Sequence, residues 1–284
     1  MTQKIATIVC GNSGIDYINH QYSIDVFRSI LFIDQEEYTD FIDITADNFY
    51  KQLKLNPNLD IKTSQTATGF MLDVYKRLEK EGYTDVIVVT ISSKLSGTYQ
   101  NAILAADMTE KLKVHVFDSK SVAYPEAKLA LVCAEMANNN HSVDEILAKL
   151  KQIRDNTKIY FTVDTLKFLV KNGRLSVARG FLGNLFKLKP LLQVSKEGVI
   201  ETIEKIRTSK KAMERLKEKF FEETKDIEIE PFVIYTIDKN LAETLASEIK
   251  ARYPYITEIP LQPLTPVVGA HAGPGAYAIG YIKK

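Results

Sequence analysis

From Val86 to Ile91 the chain reads Val-Ile-Val-Val-Thr-Ile, an apolar run without the alternation of a half-solvated strand. Such a run suits a strand buried on both faces, which requires a mostly parallel sheet covered by helices. The flanking sequence agrees. Phe70, Met71, Val74, Tyr75 and Leu78 recur at helical spacing ahead of it, and Gly82 is a stop signal. After it, the polar loop Ser92-Ser93-Lys94-Leu95-Ser96-Gly97 leads to a helix near Thr98–Met108. Val114–Phe117 is a further strand, and Glu126–Ala137 a long apolar helix. Ser142 and Glu145 have capping-box spacing for a helix reaching about Arg154. Lys4–Cys10 opens the series as a strand, Asp25–Ile33 is a mixed apolar run, and Thr45 is placed to cap a helix through Leu53. This alternation predicts an α/β fold whose N-terminal sheet is mostly parallel, with helices on both faces.

The rhythm then changes. Lys158–Val163 reads as a strand, and Thr165–Val170 and Ser176–Phe186 as short helices separated by Asn172-Gly173. Leu191–Val194 and Val199–Ile206 flank Lys196-Glu197-Gly198, which is hairpin chemistry. A charged amphipathic helix over Ser209–Thr224, a strand Phe232–Ile237, a helix near Leu241–Tyr253 and a closing strand near Ala276–Ile282 follow. The second half is therefore expected to be α+β with a partly antiparallel sheet. The expected division is 1–157 and 158–284, which suits a chain of 284 residues.

Charge excludes several partners. Lys and Arg total 37 and Asp and Glu 36, a formal net charge of +1, which gives no electrostatic basis for binding nucleic acid or a membrane surface. No apolar stretch approaches the ~18 residues of a membrane span. Ile5–Cys10 is short and no small-residue cleavage site follows it, so it reads as a strand and not a signal peptide, and a cytoplasmic protein is expected. Cys10 and Cys133 form no disulfide framework, and His20, His115, His141 and His271 lack metal-ligand spacing, so no metal is expected.

Four features could carry chemistry: two loops, a histidine among glycines and a pair of arginines. Lys62–Thr66 and Ser92–Thr98 each precede a helix, and in an open parallel sheet ligands bind outside the carboxyl ends of strands. Hydroxyls and backbone N–H groups there suit an anion; equally, Ser64 and Ser96 could simply cap helices. Gly269-Ala270-His271-Ala272-Gly273-Pro274-Gly275 sets a histidine among glycines that permit close approach to a ligand. Arg174 follows a glycine turn and Arg207 stands where a strand gives way to a helix; each reads as a solvated surface arginine or as a phosphate or acidic-partner contact. No nucleophile elbow, Walker pattern or G-x-G-x-x-G is present.

Taken together, these segments resemble the DegV family. The resemblance rests on Thr63-Ser64-Gln65, Ile91–Tyr99, Phe117-Asp118-Ser119-Lys120, Leu169–Ser176, Gly183-Asn184-Leu185, Lys187–Pro190, Arg207 and His271–Gly275, in order over nearly the whole chain. It implies a two-domain α/β protein that holds one long-chain fatty acid between its domains and needs no other cofactor. It further implies a carrier, not an enzyme, which presents the acid to a separate ATP-dependent kinase subunit and delivers the acyl phosphate to enzymes of phospholipid synthesis. Thr63, Ser96 and His271 would bind the carboxylate, and Arg174 and Arg207 would serve phosphoryl transfer or kinase docking. The competing readings are a hydrolase or phosphotransferase using Ser96 and His271, and a lipid-sensing regulator. Gly11-Asn12-Ser13 stands where the family usually has Asp-Ser, Thr66 where it has proline, and Asn172-Gly173 where it has two glycines.

Overall fold

The computed structural model describes residues 3–56, 58–175 and 188–284. The helix expected over Ser176–Phe186 lies outside the described residues. Strands β1 (Ile5–Cys10), β2 (Asp25–Phe27), β6 (Asp85–Thr90) and β7 (Lys113–Asp118) form a parallel sheet in the order β2-β1-β6-β7. Every residue of β6 is buried, as its unbroken apolar run requires. Helices α2 (Thr68–Lys80) and α3 (Thr98–Ala106) cover one face through Met71, Tyr75, Leu78, Ala102 and Ala105. Helices α4 (Tyr124–Asn138) and α5 (Val143–Asp155) cover the other. The Ser142–Glu145 capping box closes the start of α5 reciprocally.

A second sheet was not foreseen. β3 (Ile30–Ile33), β4 (Glu36–Thr39) and β5 (Ile61–Ser64) pair antiparallel in the order β4-β3-β5. Thr63 and Ser64 therefore belong to a strand and not to a loop. The run Asp25–Ile33 divides between two sheets, β2 joining the parallel one and β3 this one. Leu31, Ile33 and Ile61 bury one face of it against α1 (Ala46–Leu55) and against α9 (Pro266–Ala272), a helix from the far end of the chain.

The second half builds a six-stranded mixed sheet in the order β10-β9-β8-β13-β11-β12, from β8 (Thr157–Thr162), β9 (Leu191–Val194), β10 (Ile200–Glu204), β11 (Ile229–Tyr235), β12 (Leu261–Pro263) and β13 (Tyr277–Lys283). Its strands alternate cleanly. Tyr160, Leu191, Val233, Ile279 and Tyr281 face α7 (Ser209–Thr224) and α8 (Lys239–Arg252). Ile159, Leu192, Ile234 and Ala278 face the other way and join the core formed by α4, α5 and the parallel sheet. The expected hairpin is present, with Gly198 at φ +84° in its turn.

Candidate functional site

The inner face of the six-stranded sheet and the carboxyl-end loops of the parallel sheet enclose a cavity of about 440 Å³. Register builds its apolar wall. Ala278 stands opposite Phe161 on β8 and Ile234 on β11, and Ile200 opposite Val194 on the β9–β10 hairpin. All five line the cavity, joined from the other side by Ile91, Leu95 and Val122. Polar groups enter from different elements: Thr63 from β5, Ser96 from the loop before α3, His271 from α9 and Arg174 from the loop after α6 (Lys167–Lys171). Four of the five residues singled out in the sequence thus share one cavity. Arg207 is exposed and does not line it.

His271 lies in the last turn of α9, not in a glycine-rich turn. Thr265 caps that helix through the Val268 N–H, Pro266 occupies its first turn, and the glycine segment starts only at Gly273, with φ +78°. Packing of α9 on the three-stranded sheet brings His271 Nε2 within 2.9 Å of Thr63 Oγ1, a contact between residues 208 apart in sequence. Burial, helped by the charge of Arg174, lowers the imidazole pKa to about 4. The ring is therefore neutral at physiological pH and carries a single N–H. Nδ1 is buried and without a partner among the described residues. With the proton on Nε2, His271 donates to Thr63 Oγ1 and the threonine proton is free to donate onward. With the proton on Nδ1, Thr63 must donate to the ring and has nothing to offer an anion. Only the first tautomer equips Thr63 to hold a carboxylate.

Ser96 precedes Gly97, the residue at the N-terminal cap of α3, and both lines the cavity and makes a local contact. Its Oγ accepts from the Thr98 N–H at 3.3 Å, a local contact at the start of α3, and lies 2.8 Å from Thr98 Oγ1 while lining the cavity. Ser64 makes only a 3.4 Å contact with the Gln65 carbonyl and caps nothing; the residue preceding α2 is Ala67. Arg174 clips two loops together, Nε donating to the Leu95 carbonyl at 3.1 Å and Nη1 to the Asn172 carbonyl at 2.6 Å. Burial pulls its pKa down, the expected response of a cation removed from water. Because Ser96 pairs with Thr98 and His271 with Thr63, no hydrogen-bonded Ser96–His271 dyad exists among the described residues. Nor do the described residues hold a His/Cys/Asp/Glu group able to bind a metal, or a helix long and apolar enough to cross a membrane. Cys10 and Cys133 are buried free thiols.

Further polar residues line the cavity, among them Asn12 and Ser29 beside Ser64 and Gln65. Gly11-Asn12-Ser13 stood out in the sequence only as a departure from the family pattern. Ser29, between two short strands, carried no signal.

Comparisons with known proteins agree with this architecture. Residues 13–284 match the family described as "Uncharacterised protein, DegV family". A DegV domain-containing protein of Staphylococcus aureus is 34% identical over 266 residues, which cover 93% of this chain and 92% of the relative. The crystal structure of DegV from Bacillus subtilis, described as a fatty acid binding protein, superposes with a TM-score of 0.88 at 32% identity, covering 99% of this chain and 100% of that one. A DegV family protein from Thermus thermophilus, described by its fatty acid binding, gives 0.87 at 27% identity, with the same coverage.

Proposed function

The chain belongs to the DegV family, and from that membership we propose that it binds one long-chain fatty acid and presents its carboxylate to a separate ATP-dependent kinase subunit. The observation that carries the reading is the cavity itself: an apolar wall built by strand register, with Thr63, Ser96, His271 and Arg174 gathered on it. The acid lies between the domains we assign to residues 1–157 and 158–284. Its tail runs along Phe161, Ile234 and Ala278, and its carboxylate meets Thr63 and Ser96, with His271 directing the Thr63 proton outward.

Energetics favour a carrier of this kind. Burying about 15 methylene or methyl groups at ~0.8 kcal/mol each contributes roughly 12 kcal/mol before the costs of binding. A hydrogen bond to the charged head contributes only about 1.5–3 kcal/mol. The tail therefore sets affinity, while the head group sets orientation. Arg174, which lines the cavity, and exposed Arg207 would serve phosphoryl transfer or kinase docking, where a guanidinium fork suits phosphoryl or carboxylate oxygens. The acyl phosphate product then passes to enzymes of phospholipid synthesis in the cytoplasm. The alternative of a hydrolase with a Ser96 nucleophile lacks the base such a nucleophile needs, since His271 is engaged by Thr63. Native mass spectrometry of the purified protein tests carriage: one long-chain acid per chain is expected. ATP alone should give no acyl phosphate, and its formation without a partner would favour an enzyme.

A further inference from the structure

Asn12 and Ser29 are 7% and 4% exposed, and both line the cavity. Asn12 Oδ1 is buried without a hydrogen-bond partner, and neither side chain forms a hydrogen bond among the described residues. Buried polar groups are almost always paired, so an unpaired amide oxygen on a cavity wall, with a serine on the same wall that makes no hydrogen bond among the described residues, calls for a specific reason. Register makes them neighbours. The parallel ladder ends with Cys10 opposite Phe27, and two residues beyond these along each strand stand Asn12 and Ser29. A side chain at Gly11 would stand 3.7 Å from both the Phe27 carbonyl and the Arg28 Cα, so the two segments remain adjacent past the ladder. Ser29 directly precedes Ile30, which faces Ser64, the neighbour of Thr63. Arg28, which directly precedes Ser29, is held by both oxygens of Asp16 at 2.6 and 2.9 Å. Uncharged donors are therefore what this part of the wall offers a ligand.

We propose that Asn12 and Ser29 are ligand-binding residues, the Asn12 amide N–H and the Ser29 hydroxyl donating to the carboxylate oxygen that Thr63 leaves free. The inference rests on the fatty-acid reading and deepens it. The preferred head group is a free carboxylate, which accepts hydrogen bonds from both sides, and not an ester, which lacks the second strong acceptor.

The test is equilibrium binding of palmitate and methyl palmitate to the full chain, wild type against Asn12→Leu and Ser29→Ala. Each substitution is expected to weaken palmitate binding about tenfold or more and to leave methyl palmitate binding within about twofold, as loss of one bond to a charged group implies. Asn12→Leu should also melt no lower than wild type without ligand, because it removes a buried amide that lacks a partner. A residue kept for structure would show the reverse, a lower melting temperature and equal loss for both ligands. Palmitate affinity within twofold of wild type in both variants would overturn the proposal. If Asn12→Leu does not fold, Ser29→Ala decides by the same criterion. Failure of the wild-type protein to bind palmitate would instead bring down the carrier reading.

Discussion

The residues at the head of the cavity differ in how plainly their roles are written in the chain. In the sequence Thr63 and Ser96 stand ahead of helices and His271 among glycines, so they were candidates before their geometry was known. That His271 contacts Thr63 was not legible there, because the contact spans 208 positions. We expect Thr63→Val and Ser96→Ala to reduce phosphorylation of the bound acid by the kinase more than they reduce its binding, since one hydroxyl supplies about 1.5–3 kcal/mol against roughly 12 from the tail. Binding and phosphorylation assays on the same preparations decide it; unchanged phosphorylation in both would remove these residues from the site. The buried His271, with its pKa lowered from 6.5 to about 4, should impose no inflection on binding near pH 6.5. Asp40 behaves in the opposite sense. Burial raises its pKa from 3.8 to about 7 against the pull of Arg28. Between those values the folded state holds a proton that the unfolded state has lost, so stability falls as pH rises through that window. Asp40→Asn should therefore raise the melting temperature above about pH 7 and change it little near pH 4. An equal effect at both pH values would contradict this.

Among the elements, those with strong periodicity or a clear turn signal were legible, and the short strands of the three-stranded sheet were not. The unbroken run of β6 announces itself. The three-stranded sheet did not, because β4 reads Glu-Glu-Tyr-Thr, which is charged and brief, and β5 is only four residues long. That sheet nevertheless carries Thr63 and seats the helix that carries His271. The hairpin between β9 and β10 was read correctly, but its purpose became clear only in three dimensions. Its tip docks on the parallel half, where Ser92 Oγ donates to the Gly198 carbonyl at 2.7 Å. Gly198 has φ +84°, and a Cβ there would collide with the Ser92 hydroxyl and press on the Lys120 backbone. Gly198→Ala should cost about 1–3 kcal/mol from the left-handed conformation alone. The steric clash should add to this and loosen the hairpin from Ser92. Thermal denaturation together with hydrogen exchange at the hairpin tip measures both effects. A stability equal to wild type would mean that the hairpin does not fasten the two halves.

Across the whole molecule, one continuous core joins the parallel sheet, α4 and α5 to the inner face of the six-stranded sheet, and the cavity opens within that junction. The two arginines stand at different distances from it. Arg174 lines the cavity and ties the Leu95 loop, whereas Arg207 is exposed. Arg174→Ala and Arg207→Ala should both retain the acid and lose activity with the kinase, and Arg→Lys should restore it only partly, because the bidentate fork is lost. Full kinase activity in both alanine variants would remove both arginines from phosphoryl transfer and kinase docking. The central claim, that one acid lies with its carboxylate at Thr63 and its tail against the six-stranded sheet, is tested most directly by NMR of palmitate labelled with carbon-13 at the carboxyl. The account predicts a single bound resonance at one acid per chain, displaced in Thr63→Val and in Ser96→Ala. No bound resonance, or one that neither substitution moves, would contradict it.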